Sequence, residues 1–138
     1  MDLSGLNLWE LLVAALSTFV IGFFWYGPFL FGRSWQQLLG LSDEEMKNAN
    51  IPLLFGLAFL LNFIIAFFLS FFTEVAMMLG SSAIYAGLMG ALLCLGLVAT
   101  SFGVNYLFSR KPFKLYLIDV GYLVVSFFVM GLIIGGWY

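Results

Sequence analysis

Long apolar runs separated by short polar punctuation define this chain, and four of them approach the length of about 20 residues that crosses a bilayer. The first, Leu8 to Gly27, carries Trp9 near one end and Trp25 and Tyr26 near the other, as interfacial aromatic belts do. Gly27 and Pro28 end it with a flexible joint and a residue that lacks a backbone donor. The second run spans Pro52 to Thr73, with Asn50 as its cap and Glu74 closing it, and a turn over Val75–Ser82 follows. The third runs from about Ala83 to Phe108 and the fourth from Leu115 to Gly136, after which Trp137 and Tyr138 lie at the interface.

The connection 28–51 reads differently. Phe31, Trp35, Leu38 and Leu39 recur at helical spacing opposite Arg33, Gln36 and Gln37, the pattern of a helix lying along the membrane surface. Ser42, with Glu45 three residues on, predicts a capped polar helix to about Asn48. The expected fold is an all-α integral membrane protein, residues 1–138 forming one four-transmembrane-helix bundle with a short interfacial segment between helices 1 and 2.

Composition narrows the chemistry. The chain is 64% hydrophobic and 9% charged, against about 25% charged residues in soluble domains, so lipid is its solvent. It has no histidine and a single cysteine, Cys94. The usual general base, the commonest metal ligand and any internal disulfide are therefore missing. There is no P-loop, zinc spacing or nucleophile–base pair, so no enzymatic activity, cofactor or metal is expected, and no nucleic-acid partner. Met1–Gly5 lacks the positive start of a cleaved leader, so the first run is read as a retained helix.

All five Lys and Arg residues fall in two loops: Arg33 and Lys47 in 28–51, Arg110, Lys111 and Lys114 in or beside 109–114. With four crossings these loops share one side, and the positive-inside rule makes it cytoplasmic, with both termini outside. The likeness of Leu30-Phe31-Gly32-Arg33 to Leu107-Phe108-Ser109-Arg110 is what any two helix ends on that side would show.

Candidate sites follow from depth, at about 1.5 Å per helical residue. Ser17, Thr18, Asn62, Cys94 and Ser126 fall near the midplane, as packing partners or as a polar substrate or ion layer. At the cytoplasmic end Asp119 groups with Arg33, Arg110, Asn105, Tyr26 and Tyr106. The structural reading is an ion pair of Asp119 with one arginine; the functional reading is a proton carrier or cation ligand, with Tyr106, Tyr122 and Asn105 supplying oxygens. Glu10 and Glu74 at the outer boundary read as solvated helix-end carboxylates or a weak cation site. Small residues at Ala83, Gly87, Gly90 and Cys94, and at Gly131 and Gly135, permit close helix contact inside the bundle or between subunits. The expected partners are membrane lipid and further copies of the chain, in a dimer or trimer.

Trp25-Tyr26-Gly27-Pro28, Phe31-Gly32-Arg33, Trp35, Pro112, Lys114-Leu115, Ile118-Asp119 and Gly121-Tyr122 together resemble a family of small bacterial membrane proteins catalogued as domain of unknown function 1761. The resemblance covers nearly the whole chain and implies a four-helix protein of the bacterial inner membrane whose characteristic residues flank the cytoplasmic ends of helices 1 and 4. It carries no activity. Gly27 stands where the family has a small polar residue. Two classes of function remain: a non-enzymatic module that oligomerises or binds lipid or a partner, and a small transporter or channel using Asp119 with Arg33 or Arg110.

Overall fold

The computed structural model describes residues 5–138; Met1 to Ser4, part of the start read above for a leader, lie outside the described residues. In chain order the helices are α1 (Leu8–Trp25), α2 (Gly32–Leu39), α3 (Asp43–Lys47), α4 (Ile51–Met78), α5 (Ala83–Leu93), α6 (Thr100–Phe108) and α7 (Phe113–Gly136), and a π-helical stretch, Cys94–Ala99, joins α5 to α6. Four rods, α1, α4, the continuous Ala83–Phe108 and α7, are long and apolar enough to cross a membrane. The chain is an all-α integral membrane protein.

Starts and stops follow local chemistry. The side chains of Asn7, Ser42 and Asn50 accept the N–H groups of Trp9, Glu45 and Leu53 at 3.0, 3.2 and 3.2 Å, satisfying donors that a helix start leaves without partners. Helix α4 does not stop at Thr73 but continues through Glu74 to Met78. One glutamate does not break a helix, and the first residue able to take a left-handed conformation cheaply is Gly80, at φ 79. There the Gly80 and Ser81 N–H groups turn back to the Met77 and Ala76 carbonyls at 3.0 and 3.2 Å, a Schellman turn. Helix α2 ends the same way at Gly40.

Helix α7 is the most enclosed of the four rods and packs against α5, α1 and α4. The closest seam is α5 on α7. A Cβ at Gly90 would run into the Phe127 carbonyl oxygen, and one at Gly131 would lie 2.5 Å from the Ala86 carbonyl oxygen. The small residues of the third and fourth spans are thus used inside one chain. Around this seam Leu11, Ala14, Ala66, Leu69, Cys94, Phe127, Met130 and Ile134 form the core, whereas α4 turns Leu53, Leu57, Leu61, Phe68 and Phe72 outward.

The tight seam ends at the π stretch, and beyond it α6 touches α7 far more sparsely. Carbonyls loosened by the wider turn are taken by nearby hydroxyls: Thr100 donates to Gly96 at 2.9 Å and Ser101 to Leu97 at 2.6 Å. Tyr116 of α7 reaches across the widening gap and donates to the Ala99 carbonyl at 2.8 Å.

Gly131→Ala should lower stability in detergent by about 1–3 kcal/mol, because backbone rather than a movable side chain meets the new methyl. Gly56→Ala, with nothing within 4 Å of the added Cβ, should be neutral or stabilising by up to about 1 kcal/mol. Equal effects of the two in denaturant titration would contradict the seam as the main contact.

Candidate functional site

The end of the bundle that carries the basic residues is built by two turns. Pro112 opens α7, which places Asp119 nearly two turns into the span. Helix α1 ends at Trp25, and the elbow that follows is closed by Phe31 N–H to the Trp25 carbonyl and Gly32 N–H to the Gly27 carbonyl, both at 3.0 Å. This brings α2 against α7 and holds Tyr26 at the side of Asp119.

The carboxylate is gripped by two phenols. Tyr26 O–H donates to Asp119 Oδ1 at 2.7 Å and Tyr106 O–H donates to Oδ2 at 2.6 Å. The ion pair expected with Arg33 or Arg110 is not formed among the described residues. Both arginines are exposed, Arg33 on the outer face of α2 and Arg110 in the turn after α6. A guanidinium keeps its head in interfacial water, whereas a phenol enters an apolar site cheaply once its hydroxyl has an acceptor. Asn105 is also exposed; its carbonyl accepts from the Ser109 N–H and hydroxyl at 3.0 and 2.7 Å. Of the six residues grouped by depth, the structure therefore unites Asp119, Tyr26 and Tyr106.

An aromatic collar supports this cluster, made of residues that the sequence marked by their family resemblance but not as neighbours of one another. Trp25 Nε1–H donates to the Ile118 carbonyl at 2.9 Å, and its ring covers Gly121, where a Cβ would lie 2.7 Å from Trp25 Cζ2. Tyr122 O–H donates to the Thr18 carbonyl at 3.1 Å. The Tyr26 ring centroid lies 5.2 Å from that of Tyr122 and 5.3 Å from that of Trp35. Lys111 Nζ stands 4.6 Å above the Tyr106 ring. The available signal was the match between Trp25-Tyr26 and the bare Gly121 one helical step from Ile118. A belt reading points those rings at lipid, while here they point into the bundle.

Two clefts flank the cluster. One, of about 500 Å³, lies in the elbow between Tyr26, Gly32, Arg33, Trp35, Gln36 and Asp43. The other, of about 300 Å³, lies between α6 and α7, lined by Gly103, Tyr106, Leu107, Lys111, Phe113 and Tyr116. One phenol of Asp119 stands in each wall.

The midplane residues do not come together in this way. Ser17 and Thr18 donate to Ala14 and Ala15 of their own helix at 2.6 and 2.7 Å. Cys94 is buried as a free thiol, Ser126 Oγ is buried with no partner among the described residues, and Asn62 is half-buried on α4. At the opposite end Glu10 is not the solvated carboxylate expected. It is 3% exposed, and among the described residues its Oε1 has no partner, because it lies on the inward face of α1 next to Leu11. Burial, then the charges of Glu74 and Glu10, push the Tyr138 phenol above its ordinary range. Among the described residues no group of three or more His, Cys, Asp or Glu is placed to hold a metal.

The residues that resembled a family in the sequence, Trp25-Tyr26 on one side and Ile118-Asp119 with Gly121-Tyr122 on the other, are those that meet here. The profile of that family matches residues 9–135. The chain belongs to the family described as Protein of unknown function (DUF1761). No curated protein and no solved structure matches it. The DUF1761 motif in this chain is thus a packing and hydrogen-bonding unit that ties the ends of α1 and α6 to α7.

Tyr26→Phe and Tyr106→Phe should each cost about 1 kcal/mol in detergent unfolding. Asp119→Leu should cost at least the sum, since both phenols lose their acceptor. Three equal losses would mean that the hydroxyls act independently of the carboxylate.

Proposed function

We propose that this chain is a non-enzymatic multi-pass module of the bacterial cytoplasmic membrane, its basic end toward the cytoplasm, that binds anionic lipid at the turn between α6 and α7. The observation that carries this reading is the placement of Arg110. The turn after α6 is the same Schellman turn that Gly40 and Gly80 make, with Arg110 and Lys111 N–H groups on the Leu107 and Tyr106 carbonyls, yet here an arginine occupies the left-handed position, at φ 55. A side chain there costs about 1–2 kcal/mol relative to an ordinary backbone conformation. Lys111 and Lys114 stand on either side of the α7 start, where Pro112 offers no capping side chain. Lys114, in the first turn of α7, meets the positive pole of that 24-residue helix, while Arg110 and Lys111 follow the negative pole of α6, which favours them. All three are exposed and gather in one short turn, where an anion can answer them. Phosphates of the cytoplasmic leaflet do so, at about 1 kcal/mol per Lys or Arg near the surface.

The interfacial helix α2 supports the same reading, with Trp35, Leu38 and Leu39 half-buried and Arg33 and Gln37 exposed. The tyrosine grip on Asp119 supports a fixed rather than a moving element. A homo-oligomer remains part of the proposal; with the glycine seam used within the chain, its contact falls to outward faces such as that of α4.

The second reading, a small transporter, is favoured by one observation: Asp119 sits inside a span with no cationic partner among the described residues. The two readings separate in liposomes. Asp119→Asn should reduce stability and leave ion and proton flux at the level of empty vesicles, as for the parent; flux in the parent that vanishes in the variant would instead establish transport.

Arg110→Gly should raise thermal stability by about 1 kcal/mol while lowering the ratio of phosphatidylglycerol to phosphatidylcholine that copurifies. Replacing Arg110, Lys111 and Lys114 together by Gln should abolish that preference. An unchanged ratio in the triple variant would refute lipid binding at this turn.

A further inference from the structure

The cleft between α6 and α7 offers more than a charged surface. Past the π stretch the two helices part, and Gly103 leaves the floor of the opening without a side chain, the atoms nearest a Cβ there being the Tyr116 hydroxyl at 3.4 Å and its ring at 3.6 Å. Tyr106 and Tyr116 meet edge to face, ring centroids 6.0 Å apart, as one continuous aromatic wall, and Phe113 stacks on Tyr116 at 5.9 Å. Leu107 and Phe113 are exposed at the rim. The lining is aromatic and aliphatic except at one end, where Lys111 Nζ stands over the Tyr106 ring. Asp119, which the Tyr106 hydroxyl contacts behind this wall, has both oxygens occupied by phenols. The elbow cleft on the other side of Asp119 differs, because it contains Asp43 beside Arg33.

We infer that this cleft is a defined site for one anionic phospholipid, its phosphate against Lys111 and the first carbons of its chains on the Gly103–Tyr106–Tyr116 surface. The inference rests on the anionic-lipid reading above and deepens it, turning a charged turn into a site of fixed stoichiometry. Three features select this occupant. The cleft is about 300 Å³, enough for a phosphoglycerol and the first methylenes but not a whole lipid. Its apolar surface continues to the outward faces of Leu107 and Phe113, so the chains run on into bilayer. Its tyrosine hydroxyls are already spent on Asp119 and the Ala99 carbonyl, and its one charged element is a cation, which matches a phosphate and repels an amine. Because Tyr106 forms a wall of the cleft and also holds Asp119, occupancy should stiffen the α6–α7 contact as well as retain lipid.

The test is native mass spectrometry of the full chain released from nanodiscs of phosphatidylglycerol and phosphatidylcholine, with the thermal midpoint read in parallel. The parent should retain one phosphatidylglycerol per chain and gain stability from it. Lys111→Gln should weaken that retention about fivefold, whereas Lys114→Gln, which removes equal charge outside the cleft, should leave the single bound lipid in place. Gly103→Leu, which fills the floor, should abolish retention with the net charge intact, its helicity checked by circular dichroism. Equal losses in the two lysine variants, with phosphatidylglycerol still enriched over phosphatidylcholine, would overturn the site and leave the broader reading standing. No enrichment in the parent would overturn both. Displacement of the lipid by millimolar inorganic phosphate would overturn the role of the apolar surface, since a tailless anion would then suffice.

Discussion

Helices already surrounded by hydrocarbon gain nothing by hiding leucine from it, so what joins them must be close contact between surfaces or hydrogen bonds. In this chain the first term is the meeting of α5 and α7, where Gly90 and Gly131 bring one backbone against the other. Everything else is arranged about that line. Helices α1 and α4 lie on α7 along its other sides, and α4, with Ala66, Ser70, Thr73 and Ala76 turned inward, keeps a broad leucine and phenylalanine face outward. Where the backbone-to-backbone seam ends, the rods diverge, and the space between them becomes available for side chains with hydroxyls.

The second term is concentrated at the diverging end. A carboxylate in a membrane helix must find a partner, and the choice between arginine and tyrosine has mechanical consequences. An arginine reaching from an interfacial loop would tether Asp119 to a mobile segment and to water. Two phenols, each fixed to a packed helix end, instead cross-link α1 and α6 through α7 without bringing another charge into the span. The same end exposes its cations outward, so the internal polar network and the charged surface are separate systems that share Tyr106 and Lys111.

The spans, the capped starts at Ser42 and Asn50, and the short amphipathic helix over Gly32–Leu39 were legible because each depends on a local signal: a run of apolar length, an Asx or Ser cap, a one-sided periodicity. The far end of α4 was misplaced because Glu74 looked like a boundary, whereas a carboxylate near the membrane surface is compatible with a helix that continues to the next glycine. The grouping of Asp119 with Tyr26 and Tyr106 could be read from depth alone, but depth does not give azimuth. Arg33, Arg110 and Asn105 share the level of Asp119 and face elsewhere. Glu10 was misjudged for the same reason: it has the height of a solvated residue and the direction of a buried one. The π stretch left no clear mark in the sequence, since Cys94–Ala99 is as apolar as the turns around it.

That stretch has a consequence for how α5 and α6 relate as parts of one rod. Each residue turns an α-helix by about 100°, so a wider turn holding one more residue than an α-helical path resets the angular phase of everything after it. Helix α5 can therefore present its glycines squarely to α7 while α6, on the same rod, presents Tyr106 to Asp119. A strictly α-helical rod would satisfy one of these facings and rotate the other away. The bulge acts as a phase adjuster that lets the structural seam and the polar cluster be set independently, and a single insertion or deletion there would uncouple them without touching either.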